Sequence, residues 1–139
     1  MTSSFPIFVG FVDGASRHTQ NITSATSVIY HSGLVSSGRI LLGYATNNVA
    51  KYHALIGILT EASSLGISRI IVNLDSQLVV CQLNRIYAIR NPILLRLHLQ
   101  VRCLEQMFDF IEYRHIPREL NTISDFLANY IMDRYLAHR

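Results

Sequence analysis

Apolar and polar positions change period several times along this chain, and each change marks an element. Ile7 to Val12 is an apolar run broken only by Gly10 and ending at Asp13-Gly14, which reads as a buried strand. A polar stretch from Ser16 to Ser24 follows. A second strand begins at Val28-Ile29-Tyr30 and turns at Ser32-Gly33, and a third runs through Ile40-Leu41-Leu42. Two such runs joined by turn residues predict antiparallel pairing. The period then lengthens: Ala50, Ala54, Leu55, Ile58, Leu59 and Ala62 recur at helical spacing, with Asn47 or Asn48 as the cap and Gly66 as the stop.

Arg69 to Leu74 is β-rich and closes at Asp75, and Ser76 is placed to cap a helix through Val79, Val80 and Leu83. Asn91-Pro92 marks a break. Leu94 to Met107 reads as a third helix, Phe108 to Tyr113 as a fifth strand, and about Asn121 to Tyr135 as a last helix after Pro117. The order βββαβααβα predicts an α/β fold with a five-stranded mixed sheet, an antiparallel meander leading into parallel strands, flanked by helices. No linker, repeat or low-complexity segment divides the chain, so a single domain over residues 1–139 is expected.

Composition narrows the class. Half of the 139 residues are hydrophobic and 15% are charged, which excludes a disordered chain. A domain of this length buries about 68–70% of its unfolded surface without a staple. No apolar run approaches the roughly 20 residues of a membrane helix, and the first six residues lack a basic stretch. The expectation is an intracellular protein, cytoplasmic or nuclear, not secreted and with no membrane partner; a monomer is favoured. Net charge is +3, and eleven of the twelve basic residues are arginine, a mild balance compatible with a phosphate backbone. Cys81 and Cys103 lack CxxC spacing and are expected to be buried free thiols, in keeping with a reducing compartment.

The candidate chemistry lies in carboxylates. Asp13 and Asp75 each close an apolar strand, where ligands gather in α/β sheets, and Asp125 falls one turn into the last helix. Carboxylates converging within about 4 Å repel one another and persist around cations. Two magnesium ions about 3.5–4 Å apart can activate a water and stabilise a leaving oxygen on phosphorus. Taken singly, an Asp at a strand end is more often a turn former or a cap.

Four stretches, in order, resemble the motifs of type 1 ribonuclease H. They are Phe11-Val12-Asp13-Gly14-Ala15-Ser16; Thr46-Asn47-Asn48 with Ala50, Tyr52, Ala54 and Leu55; Leu74-Asp75-Ser76-Gln77-Leu78-Val79-Val80; and His115-Ile116-Pro117-Arg118-Glu119-Leu120-Asn121 with Asp125, Leu127, Ala128 and Asn129. Together they span nearly the whole chain, and their idiom is similar to plant and long-terminal-repeat retroelement versions. The resemblance implies cleavage of the RNA strand of an RNA–DNA hybrid with Mg2+ or Mn2+. It implies that Asp13 bridges both metals, that Asp75 and Asp125 complete the coordination, and that His115 or Arg118 assists at the leaving group. It implies that Asn48, Ser76 and Gln77 face the hybrid, whose 2′-hydroxyl tells RNA from DNA. Read without the family, His115 is a strand-end packing residue, Arg118 a partner of Glu119 or Asp125, Asn47 and Asn48 caps, and His53 a surface residue. His18 and His98 carry no metal-ligand spacing. The Arg85, Arg90, Arg96 and Arg102 series reads as a solvated face.

The chain departs from the family in three places. Its only lysine, Lys51, stands where the family has a metal-binding glutamate. A protonated amine has no lone pair to offer a metal, so the expected partner of Lys51 is Asp13, Asp75 or both, with metal affinity reduced. Glu61 lies ten residues along the helix, about 15 Å away, and cannot substitute. His18-Thr19-Gln20-Asn21 replaces a glycine-proline loop, and the lysine-rich handle between the second and third helices is absent. Three functions therefore compete: an active hybrid nuclease, an impaired relative that binds hybrid or other nucleic acid, and an interaction domain of a larger reverse-transcriptase polyprotein.

Overall fold

The computed structural model describes residues 5–121 and 136–137. Five strands form one mixed sheet in the order β3-β2-β1-β4-β5. They are β1 (Phe8–Arg17), β2 (Ile22–Tyr30), β3 (Leu34–Leu42), β4 (Arg69–Leu74) and β5 (Phe110–His115). β1 pairs antiparallel with β2, and β2 with β3; β4 runs parallel to both β1 and β5. Three helices, α1 (Asn47–Ser64), α2 (Gln77–Leu83) and α3 (Pro92–Glu105), complete the described order. The expected last helix and Asp125 lie outside the described residues. Among the described residues, no helix is long and apolar enough to cross a membrane.

The core is where strand and helix periods meet. α1 packs on β1, β2 and β3 and against α3. Its buried stripe of Ala50, Tyr52, Ala54, Leu55, Ile58, Leu59 and Ala62 joins Val12, Ile29, Ile70, Val72 and Leu74 from the sheet. A left-handed turn at Ser32 (φ 56°) precedes Gly33 and reverses the chain between β2 and β3; Gly66 (φ 77°) ends α1 as its position predicts.

Several boundaries differ from expectation, each for a local reason. β1 continues past Asp13 to Arg17, and β2 starts at Ile22, so most of the polar stretch is a hairpin. Thr23 and Ser24 are buried, and Ser16 and Thr23 bond to the Ala45 carbonyl, which hides the apolar alternation a strand normally displays. Thr46, not Asn47 or Asn48, caps α1, its hydroxyl accepting from the Val49 amide at 3.2 Å. Asn91 caps α3, which therefore begins at Pro92, where the missing N–H costs nothing. β5 starts two residues later than expected. Both cysteines are free, but Cys81 is half-buried and Cys103 exposed, because α3 buries only Leu94, Leu97 and Val101.

Two packing devices decide how rigidly the helices sit. The first is Gly14: a Cβ there would lie 2.5 Å from Ala50 Cβ and 2.8 Å from both Ala50 C and Lys51 N. Only glycine lets β1 approach the first turn of α1 this closely. The second is a polar chain where a solvated arginine face was expected. Arg102 Nε donates to His98 Nε2 at 3.1 Å, which leaves the hydrogen on Nδ1, facing Tyr52 Oη at 3.4 Å. Tyr52 donates on to Gln82 Oε1 at 2.8 Å. Arg102 also donates to Glu105 at 2.8 Å and to the Leu83 carbonyl at 2.6 Å, and Tyr113 donates to Glu105 at 2.6 Å. One network thus ties α1, α2, α3 and β5. Burial pushes the Tyr52 hydroxyl up to about 12, with Arg102 countering it, and raises Tyr113 through burial and its bond to Glu105.

Gly14→Ala should destabilise the fold by about 1–3 kcal/mol in urea titrations, because two of the three clashes are with backbone that cannot rotate away. A change within about 0.5 kcal/mol, the range of ordinary surface substitutions, would show that α1 can slide. The His98 network predicts an acid sensitivity. Burial, then Arg102, lowers the His98 pKa, with Glu105 opposing, and burial lowers that of His53. The unfolded chain then binds protons more readily than the folded one. This stability is full above the ordinary histidine value of about 6.5 and is lost as pH falls below it. Denaturant midpoints should fall between about pH 7.5 and 5.5, and His98→Gln should flatten that fall. An unchanged slope in the variant would assign the effect elsewhere.

Candidate functional site

The site forms where the parallel pairing of three strands stops at one level. Val12 of β1 pairs with Leu74 of β4, and Leu74 pairs with His115 of β5. Asp13 and Asp75 follow directly on adjacent strands, and His115 stands beside them as the last residue of β5. The parallel pairing ends there because Ser76 turns the chain into α2, its hydroxyl accepting from the Val79 amide at 3.2 Å. β1 meanwhile runs on, paired with β2 as far as Arg17. Asp13 is therefore within a strand, not at its end, but it lies at the end of the parallel ladder.

A fourth residue arrives from α1, and the local chemistry that places it was hidden in the polar stretch. Ser16 Oγ and Thr23 Oγ1, 3.1 Å apart, both donate to the Ala45 carbonyl, at 2.7 and 3.0 Å, and the Ala45 amide donates back to Thr23 at 3.1 Å. This knot anchors the residue before the Thr46 cap to the β1–β2 hairpin. With Gly14 beneath Ala50 and Lys51, it fixes the first turn of α1 against the carboxylates. Neither Thr23 nor Ala45 carries a sequence signal for this; the partnership appears only once β1 and β2 are paired.

Lys51 Nζ lies 3.3 Å from Asp75 Oδ1, with the two side chains 17% and 5% exposed. The contact is a charge pairing without an aligned hydrogen bond, since Asp75 Oδ1 is buried and has no hydrogen-bond partner. Asp13 is buried, and its Oδ1 accepts from the Gly14 amide at 2.8 Å. Asn121 is buried after β5 and donates to the Val12 carbonyl at 2.9 Å, fastening the segment that leads toward Asp125 to the strand carrying Asp13. Asn48 is half-buried one turn before Lys51, Ser76 is buried as the cap, and Gln77, His115 and Arg118 are exposed. His53 is half-buried in a small cavity with Arg39 and Glu61, rather than on the open surface. Glu61 accepts from Ser36 of β3 at 3.2 Å, well down the helix from Lys51.

An orphaned, buried carboxylate oxygen is what a cation would take, but in this chain a cation already faces it. A magnesium bond to oxygen is about 2.1 Å. An ion on Asp75 Oδ1 would stand no more than about 5.4 Å from the Lys51 ammonium, where +2 and +1 repel by roughly 6 kcal/mol at an effective dielectric of about 20. The residues as arranged do not fit a divalent ion on Asp75 unless the ammonium leaves. Among the described residues, no three His, Cys, Asp or Glu side chains cluster to hold a metal ion.

Comparison with known proteins bears on this geometry. Residues 11–131 match the reverse transcriptase-like family. The chain is 37% identical over 125 residues to ribonuclease HI of Halobacterium salinarum and 38% identical over 124 residues to the bifunctional protein Rv2228c of Mycobacterium tuberculosis. It spans 63% of the length of the first and 34% of the second. The structure of the Halobacterium enzyme superposes with a TM-score of 0.87 at 35% identity, over 93% of this chain and 99% of that one. The N-terminal ribonuclease H domain of the mycobacterial protein gives 0.88 at 36% identity, over 95% and 97%. LC11-RNase H1, from compost and solved in complex with an RNA/DNA hybrid, gives 0.85 at 27% identity, over 93% and 99%. With residues 11–131 matched and the whole fold superposing on ribonuclease H structures, the chain belongs to the reverse transcriptase-like family of ribonuclease H folds.

Proposed function

We propose that this chain is an RNA–DNA hybrid-binding ribonuclease H domain whose hydrolysis of the RNA strand is impaired by Lys51. The observation that carries this reading is the 3.3 Å contact between Lys51 Nζ and Asp75 Oδ1. Asp13, Asp75 and Asp125 are the carboxylates that would hold Mg2+ or Mn2+, with reduced affinity because the Lys51 ammonium must first leave Asp75. When bound, such ions would supply water activation and leaving-group stabilisation. Asn48 and Gln77 face the hybrid's minor groove, Ser76 belongs to the same substrate-binding set, and His115 or Arg118 serves the leaving group. The same contact is compatible with the alternative of a non-catalytic nucleic-acid-binding or interaction domain of a retroelement-derived protein. Turnover in the Lys51→Glu variant separates the two.

Lys51→Glu should raise hybrid cleavage in magnesium or manganese by at least about a hundredfold, the scale of a key electrostatic group. In chelator the variant should melt below wild type, because its carboxylates then face one another without a cation. Magnesium should reverse that loss by linkage and shift the wild type far less. A wild type that cleaves as fast as the variant, with an equal magnesium shift, would refute the impairment.

Hybrid should also bind more tightly than duplex DNA of the same sequence, with affinity falling as salt rises. Equal affinity for the two would remove the minor-groove assignment of Asn48 and Gln77.

A further inference from the structure

We propose that Lys51 is itself a nucleic-acid contact: its ammonium bridges the Asp75 carboxylate and a phosphodiester oxygen of the bound hybrid, so that the domain grips hybrid without divalent metal. This rests on the hybrid-binding reading above and goes beyond it, since a residue that only blocked metal would leave affinity untouched or lower it.

Three features point this way. The Lys51–Asp75 contact lacks an aligned hydrogen bond, as the orphaned Oδ1 attests. A lysine ammonium carries three N–H donors and no acceptor, so its donors remain available to another oxygen. The Lys51 side chain keeps 17% of its surface accessible and that of Asp75 keeps 5%, so the lysine is the more accessible member of the pair. An approaching phosphate meets the cation before the buried carboxylate.

The surroundings suit a phosphodiester. Exposed His115 ends β5 beside Leu74, exposed Gln77 opens α2 just after Asp75, half-buried Asn48 lies on the first turn of α1, and all three offer hydrogen-bond donors. Asn48 stands three residues before Lys51, on the same side of the helix. The helix turn that carries Lys51 is held by the Ser16–Thr23–Ala45 knot and by the backbone contact at Gly14, so the cation is presented from a fixed base. Lysine binds phosphate as a compact point charge and needs no bidentate geometry. One ammonium carries far less charge than two divalent ions, so it suits holding a phosphodiester but not activating a water against it.

The test is fluorescence anisotropy with a labelled RNA–DNA hybrid, titrated over a range of salt in chelator and again in magnesium. Wild-type affinity should agree within about twofold between the two buffers. Lys51→Gln should weaken binding in chelator by about tenfold and lower the salt slope by about one, the signature of one lost phosphate contact, while Lys51→Arg keeps the slope. Unchanged affinity and slope in Lys51→Gln, or a wild type that binds only with magnesium, would overturn the proposal. Should Lys51→Gln unfold, the wild type still decides. Lys51 is the only lysine, so lysine-selective isotope labelling gives a single side-chain signal. That signal should shift on adding hybrid in chelator, and a hybrid that binds without moving it also overturns the proposal. Impairment is judged by cleavage in Lys51→Glu and this contact by binding in chelator, so either can fail alone.

Discussion

The close approach of β1 to the first turn of α1 is the constraint on which the rest of the site depends. At Gly14 the strand backbone presses against Ala50 and the amide of Lys51, with no room for a side chain between them. The hydroxyl knot at Ser16 and Thr23 holds the preceding residue, Ala45, and Thr46 then starts the helix. Whatever side chain stands at position 51 is thus delivered to the end of the β1–β4 ladder, beside Asp13 and Asp75. The scaffold is indifferent to its charge. A carboxylate delivered there would complete an acidic cluster, whereas the ammonium delivered in this chain meets Asp75 instead.

That delivery sets an electrostatic choice. Two buried carboxylates on neighbouring strands are costly to desolvate without a cation. Lys51 supplies one from within the chain, close enough to hold Asp75 but without an aligned hydrogen bond. A covalently attached cation cannot be removed by dilution or by a chelator, whereas a bound metal stabilises the fold only in proportion to its occupancy. The domain therefore carries its counter-charge as part of its sequence, and the carboxylates no longer depend on the solution for it.

Elements with one dominant signal were legible in the chain itself. The stripe from Ala50 to Ala62, the run from Arg69 to Leu74 and the cap at Ser76 fall where periodicity and capping place them. The expected pairing of Lys51 with Asp13, Asp75 or both is seen at Asp75. Features built from polar side chains meeting across the fold were not legible. β2 buries Thr23, Ser24, Thr26 and Ser27, so its polarity concealed the part of the strand that precedes Val28. Arg102 looked like one more solvated arginine until α3 packed against α1 and α2 and set it between His98, Glu105 and the Leu83 carbonyl. Periodicity reports which face of an element is dry. It carries no record of which polar groups will find each other inside.

The arrangement at position 51 has the form of a trade between stability and activity. Sites that gather like charges are locally unfavourable, and function maintains them against the stability of the fold. On the proposed reading, a cation standing in place of one of the gathered carboxylates relieves that repulsion and opposes metal at the same oxygen, through one side chain. The two effects cannot be separated by moving Lys51 elsewhere, because the Gly14 contact fixes where its helix turn lies. Nor can a neighbouring acid compensate, since Glu61 is engaged with Ser36 of β3 farther along α1. A site built this way retains what depends on shape, namely the ladder end, the capped helix and the exposed polar rim. It gives up what depends on concentrating negative charge. Binding of a phosphate backbone belongs to the first class and metal-assisted hydrolysis to the second. On the proposed reading, Lys51 divides recognition from turnover while leaving the fold in place.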